Sequence, residues 1–230
     1  MPFLEALFED RRDAGRRLAA ALHRYRESRP VVLALPRGGV PVGFEVAKAL
    51  KAPLDVLLVR KIGAPGHAEL GLGAVMDGKD PQLVLNEEVV RAVGPPQAYI
   101  EREKQRQLAE IERRRRRYVG DRPPVSVTGK VAILVDDGIA TGGTVKAGLL
   151  GLARSRPSSL VLAVPVAPAD SLAELAGDCD DIVSLATPEP FFAVGAHYRD
   201  FTQTEDDEVI RLLDEARQWT AEPAEPSVIT

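Results

Sequence analysis

The chain carries one cysteine, Cys179, among 230 residues. An intrachain disulfide framework is excluded, as is a cysteine-rich metal site, and Cys179 reads as a small buried hydrophobe. Aromatic residues amount to only 5% of the chain, so a place where they gather carries information. Long apolar runs are missing as well: none approaches the roughly 20 residues of a membrane-spanning helix. The N-terminus has no basic stretch leading into an apolar core, which argues against a secretory signal and for a cytoplasmic protein. Positive charge is not in excess either. Lys and Arg number 30 against 34 Asp and Glu, a formal charge of -4. That balance speaks against general affinity for nucleic acid, although a local basic patch could still act. No phosphate loop of the GxxxxGK type occurs, and Gly71-Leu72-Gly73 lacks the third glycine of a dinucleotide fingerprint.

What is present suits a globular protein with a full core: 45% hydrophobic and 28% charged residues. Apolar runs at 30–35, 54–59, 131–135, 159–166 and 181–186 read as core strands, with shorter strands at 74–76 and 82–85. Helical spacing is read at 8–25, 42–50, 87–93, 98–118, 143–154, 170–175 and 205–219. Continuously apolar strands between helices imply an α/β fold, a parallel sheet flanked by helices on both faces. Residues 87–118 form a helical insertion, and 187–201 a small separate segment. We read 1–219 as one domain and 220–230, with two prolines and little apolar content, as a flexible tail.

The stretch 131–144, VAILVDDGIATGGT, organises the rest. Its five apolar residues suit a strand covered on both faces, and Asp136 and Asp137 fall at the carboxyl end, where open α/β sheets place ligands. Paired carboxylates there can accept hydrogen bonds from vicinal sugar hydroxyls and help hold a hydrated magnesium ion. Ala140, Thr141, Gly142, Gly143 and Thr144 then bring small side chains to a helix N-terminus, whose open amides favour phosphate. Sugar hydroxyls at one end and phosphate at the other describe a ribose 5-phosphate.

This stretch closely resembles the phosphoribosyl pyrophosphate signature of the type I phosphoribosyltransferases. The resemblance implies a Rossmann-like core with a small hood. It also implies that the protein transfers ribose 5-phosphate from phosphoribosyl pyrophosphate to a nitrogenous base or similar acceptor, releasing pyrophosphate, with Mg2+ as cofactor. The acidic pair would hold the ribose hydroxyls, and the metal through them or through water. The 141–144 turn would hold the 5-phosphate. Residues 36–41, PRGGVP, read as a tight strand-to-helix turn. By resemblance they form the pyrophosphate loop, with Arg37, Gly38 and Gly39 as ligands and a cis bond between Pro36 and Arg37. Arg60 and Lys61 resemble the basic pair that opens the family's flexible catalytic loop, here 62–73, rich in Gly and Ala, where basic side chains reach pyrophosphate; with Arg37 they would add positive charge as the glycosidic bond breaks. Closure of that loop would exclude water from the reacting bond.

The acceptor is less legible. Enzymes acting on 6-oxopurines usually carry an Asp where this chain has Ala140, so hypoxanthine and guanine become less favoured. Glu69 or His67 could then move the acceptor proton, or either could be a solvated loop residue. Four of the ten Phe and Tyr residues fall in 187–201. That concentration suits a stacking surface, with Phe192 or Tyr198 against a flat ring and Val194 and Gly195 beside it, and core packing competes with this reading. A rival function is a regulator that senses phosphoribosyl pyrophosphate without catalysis and meets nucleic acid through Arg113 to Arg117. Acidic residues placed four before several of these arginines favour a solvated, ion-paired helix instead. Homo-oligomer formation is left open, and no membrane partner is expected.

Overall fold

The computed structural model describes residues 6–78 and 81–219, apart from the side chains of Ala68 and Glu69. The 220–230 tail therefore lies outside the described residues. Helix α1 (Arg11–Ala21) comes first, followed by a 3-10 turn, His23–Ser28. Phe8, expected at the start of this helix, instead lies before it. Asp10 caps α1 by accepting from the Asp13 amide, so the helix cannot begin earlier without losing that cap. Phe8 pairs with Tyr198 in an isolated bridge.

Strand β1 (Val31–Ala34), helix α2 (Gly39–Leu50) and strand β2 (Leu54–Val56) form the first crossover unit. The run read as one strand over 54–59 divides here: β2 stays in the parallel sheet, while β3 (Val59–Ala64) leaves it to pair antiparallel with β4 (His67–Met76). Residues 62–73, expected as a mobile loop, are therefore a hairpin. It turns at Gly66 with φ 74°, and Ile62 and Leu72, both fully buried, anchor its two arms. Strand β5 (Gln82–Leu85) completes a three-stranded sheet, and α3 (Glu87–Val93) and α4 (Gln97–Val119) follow as the insertion. Then come β6 (Val131–Val135), α5 (Gly143–Arg154), β7 (Ser159–Val166), α6 (Ala169–Leu175), β8 (Asp181–Ala186) and α7 (Asp206–Ala216).

The main sheet is wholly parallel, in the order β2-β1-β6-β7-β8. Its central strands β1, β6 and β7 are apolar on both faces because both faces are covered. Val32, Ala34, Ile133 and Val135 pack toward α1, α2 and α7, whereas Val31, Leu33, Ala132 and Leu134 pack toward α5 and α6. Strand order reverses between β1 and β6, and at such a switch point the two outgoing loops diverge and leave a crevice at the carboxyl ends of the strands. Those loops are 36–41 and 136–142. Among the described residues, no helix is long and apolar enough to cross a membrane.

Candidate functional site

The crevice between β1 and β6 brings the two sequence motifs together. Leu35 donates its amide to the Val135 carbonyl at 2.9 Å, so the strands stay paired up to the point where each turns away. The Pro36–Arg37 bond is cis. The two glycines after it are needed for close approach. A Cβ on Gly39 would stand 2.9 Å from the Val135 carbonyl oxygen and 3.0 Å from the Asp136 Cα, and one on Gly38 would overlap the Asp137 carboxylate. Gly38→Ala is thus expected to displace that carboxylate and destabilise the fold by about 1–3 kcal/mol. Urea unfolding measures this, and an unchanged midpoint would mean that the loops tolerate separation.

Asp136 and Asp137 are partly enclosed. The Asp136 Oδ1 accepts the Asp137 amide at 2.9 Å. Burial pushes the Asp136 carboxyl well above the ordinary aspartate value, and the neighbouring Asp137 charge pushes it further. Burial raises Asp137 too, but less freely, because Arg11 donates Nε–H to its Oδ2 at 2.7 Å and opposes the shift. Beyond them Gly142, with φ 71°, caps α5, and no side chain caps that helix, so its first amides are open to an anion. Thr141 and Gly143 are exposed there and Thr144 is half-buried. Ala140 is exposed, and its carbonyl accepts from Ser171 Oγ at 2.9 Å.

Basic groups border this crevice unevenly. The Arg37 guanidinium lies 3.8 Å from carboxylate oxygens of both Glu205 and Asp206, and the Gln203 amide oxygen, turned toward it, accepts from it. Side chains alternate along β3, so Arg60 and Lys61 point to opposite faces. Arg60 donates Nε–H to Gln107 of α4 at 3.1 Å and is committed to the insertion. Lys61 is exposed and shares a cleft of about 560 Å3 with Gly143 and Lys146, beside the 141–144 turn. Of the adjacent pair read as phosphate ligands, the geometry therefore brings Lys61, and not Arg60, to the turn. Glu69 lies on β4, and its side chain is outside the described residues.

The 187–201 segment closes over the acidic loop. Val194 would be 2.5 Å from a Cβ on Gly138, so the two segments touch there only because Gly138 has no side chain. Tyr198, expected as a stacking residue, is 5% exposed. Its ring lies against Phe8 and Phe201, with centroids 5.2 Å and 5.0 Å away, and its hydroxyl donates to the Asp137 carbonyl at 2.5 Å. It is a core support of the acidic loop and is not free to receive a base. Phe192 is 74% exposed and remains available for stacking.

The Arg113 to Arg117 run, weighed as a nucleic-acid patch, is engaged with acids at every position. Arg113 and Arg114 pair with Glu110, Arg116 with Glu112, and Arg117 with Asp206. Arg115 is buried between Asp55 and Asp77. Sequence reading also missed Arg11. Its place in the first turn of an amphipathic helix gave no sign that it reaches a carboxylate 126 positions away.

Comparison with known proteins bears on the family of the chain. Residues 6–200 match the phosphoribosyl transferase domain. Two Mycobacterium tuberculosis proteins, Rv0571c and MT0597, each named provisionally as a phosphoribosyl transferase, are 50% identical over 216 residues, which is 94% of this chain. The chain spans about half of their length, 48%. The crystal structure of TT1426 from Thermus thermophilus is 44% identical and superposes with a TM-score of 0.80 over 90% of this chain and 98% of that one.

Proposed function

This chain belongs to the type I phosphoribosyltransferase family, and from that premise we propose that it transfers ribose 5-phosphate from phosphoribosyl pyrophosphate to a nitrogenous acceptor. One observation carries the reading. The 36–41 loop, the Asp136–Asp137 pair and the uncapped N-terminus of α5 converge at the switch point of the parallel sheet. Asp136 and Asp137 accept the ribose hydroxyls, the amides of 141–144 bind the 5-phosphate, and Arg37 with the Gly38 and Gly39 amides binds pyrophosphate. Lys61 adds positive charge beside the phosphate turn as the glycosidic bond breaks.

The donor set fits magnesium in a hydrated form. Among the described residues no group of three or more His, Cys, Asp or Glu could enclose an ion, and magnesium commonly keeps several waters and binds through one or two carboxylates and substrate phosphates. Asp136 and Asp137 would hold it through water or the ribose hydroxyls, and when bound it neutralises pyrophosphate oxygens. Arg37 leaves its loose contacts with Glu205 and Asp206 to meet the donor, exchanging carboxylate partners for phosphate oxygens.

At the acceptor end, Phe192 stacks a flat ring and Glu69 exchanges the acceptor's proton. The test is pyrophosphate release from phosphoribosyl pyrophosphate and magnesium, across purines, pyrimidines and related heterocycles. Release that depends on one acceptor class is expected, and Phe192→Ala and Glu69→Gln should each lower kcat/KM with that acceptor by about tenfold or more. No release with any heterocycle, together with no donor binding, would refute the reading.

A further inference from the structure

We propose that Arg11 is a positioning residue of the donor site, fixing the Asp137 carboxylate in the orientation that receives ribose hydroxyls. The inference rests on the donor reading above and names a residue outside its motifs. Arg11 is only 11% exposed and is held from three directions. Its Nε–H donates to Asp137 Oδ2 at 2.7 Å and an Nη1–H donates to the Thr202 carbonyl at 2.8 Å. The guanidinium plane also lies over the Phe201 ring, with Cζ 3.8 Å from the ring centroid. Phe201 is itself braced, since Tyr198 packs on it and its edge fills the space that a Gly195 side chain would need.

A guanidinium fixed in this way sets the plane of the carboxylate it meets, because the Nε–H direction is rigid and the bond engages a single oxygen. Asp137 Oδ1 then has a defined direction. Gly38 supplies the room, for any side chain there would displace the Asp137 carboxylate and crowd Arg11 Nε at 3.2 Å. Tyr198 holds the backbone of the same residue by donating to its carbonyl. Both ends of Asp137 are thus restrained, which is the arrangement that lets an open site meet a sugar without reorganising.

Docking of α1 does not require this contact. Ala14, Leu18 and Leu22 are completely buried, and Gly15 lies against Val42 and Glu45 of α2, so the helix is seated by packing. Arg11 lies beyond that apolar seat and reaches into the crevice. Its charge also offsets one of two adjacent carboxylates, which eases the approach of a polyanionic donor.

The test is calorimetric binding of three probes, each with magnesium, to the full chain: phosphoribosyl pyrophosphate, ribose 5-phosphate and inorganic pyrophosphate. Arg11→Met is expected to weaken both ribosyl compounds by about tenfold or more, as loss of a charge-assisted hydrogen bond does. It should leave pyrophosphate within about twofold, because that probe uses the 36–41 loop. Arg11→Lys, which keeps the charge but loses the stacked plane, is expected to recover part of the loss and stands in should Arg11→Met fail to fold. Equal weakening of all three probes, or no weakening, overturns the positioning role alone. A wild-type chain that binds neither ribosyl compound overturns the donor reading itself.

Discussion

Arg115→Met is expected to cost about 3–5 kcal/mol of stability, the usual consequence of stranding a buried charge. The Arg115 guanidinium donates to Asp55 Oδ2 at 2.8 Å and to Asp77 Oδ2 at 2.9 Å, and the three side chains are between 5% and 12% exposed. The same carboxylates serve the backbone: Asp55 accepts the Val125 amide at 3.0 Å, and Asp77 accepts the Leu58 amide at 2.7 Å. One cation thereby joins α4, β2, the end of β4 and the approach to β6. Removing it leaves two acids facing each other without a counter-ion. At about 2–4 °C per kcal/mol for a chain of this size, the thermal midpoint should fall by about 6–20 °C. Asp55→Asn and Asp77→Asn, added to Arg115→Met, should restore a part, because the amide oxygens still accept from Val125 and Leu58. A midpoint unchanged by Arg115→Met would show that water enters and hydrates both acids.

The sign of the pH dependence follows from Asp77. One guanidinium cannot neutralise two buried acids, so burial pushes the Asp77 carboxyl up to about 6 despite Arg115. A folded value above the ordinary 3.8 means that the folded state holds the proton more tightly. The favourable contribution is complete below that ordinary value and is lost as pH rises through about 6. Without Arg115 the loss should be larger at neutral pH, so the deficit of Arg115→Met should shrink in acid.

Arg115 also shows what sequence reading can resolve. Five successive arginines look alike along the chain, but the helix does not treat them alike. Ile100, Gln107, Ile111, Tyr118 and Val119 are its buried residues, and position 115 falls four after Ile111 on that same face. A lone acid in the apolar run 54–59 was the matching signal. The parallel core was legible because its central strands β1, β6 and β7 are apolar on both faces, and the crevice was legible because its motifs are short and contiguous. The hairpin was not. Gly and Ala provide little pattern over 62–73, and its two anchors, Ile62 and Leu72, lie ten residues apart. Tyr198 was misassigned for a similar reason: an aromatic cluster looks the same whether it receives a ligand or supports the loop beneath it. Neither the reach of Arg11 nor that of Tyr198 is local, and long-range partners leave no periodic trace.

Asp136→Asn combined with Asp137→Asn should remove donor binding, with a loss above about 100-fold, since two charge-assisted acceptors are lost and each contributes roughly 1.5–3 kcal/mol. The expected stability of these variants is less obvious. Both carboxyls are raised by burial, and Asp136 also by its neighbour, so ionising the pair in the folded chain carries a cost. A neutral amide at 136 removes that cost while its oxygen still accepts the Asp137 amide. Asp136→Asn alone should therefore unfold at a higher temperature than wild type. At 137 the gain is offset, because Arg11 loses its anion. The gain at 136 should vanish in acid, where wild-type Asp136 is protonated in both states, and should grow as pH rises past the ordinary aspartate value of 3.8. Calorimetry of donor binding and thermal unfolding across pH, run on the same variants, separate the two effects. A variant that lost binding together with stability would point to collapse of the loop, whereas lost binding with gained stability is what a site that keeps costly charges for its ligand requires.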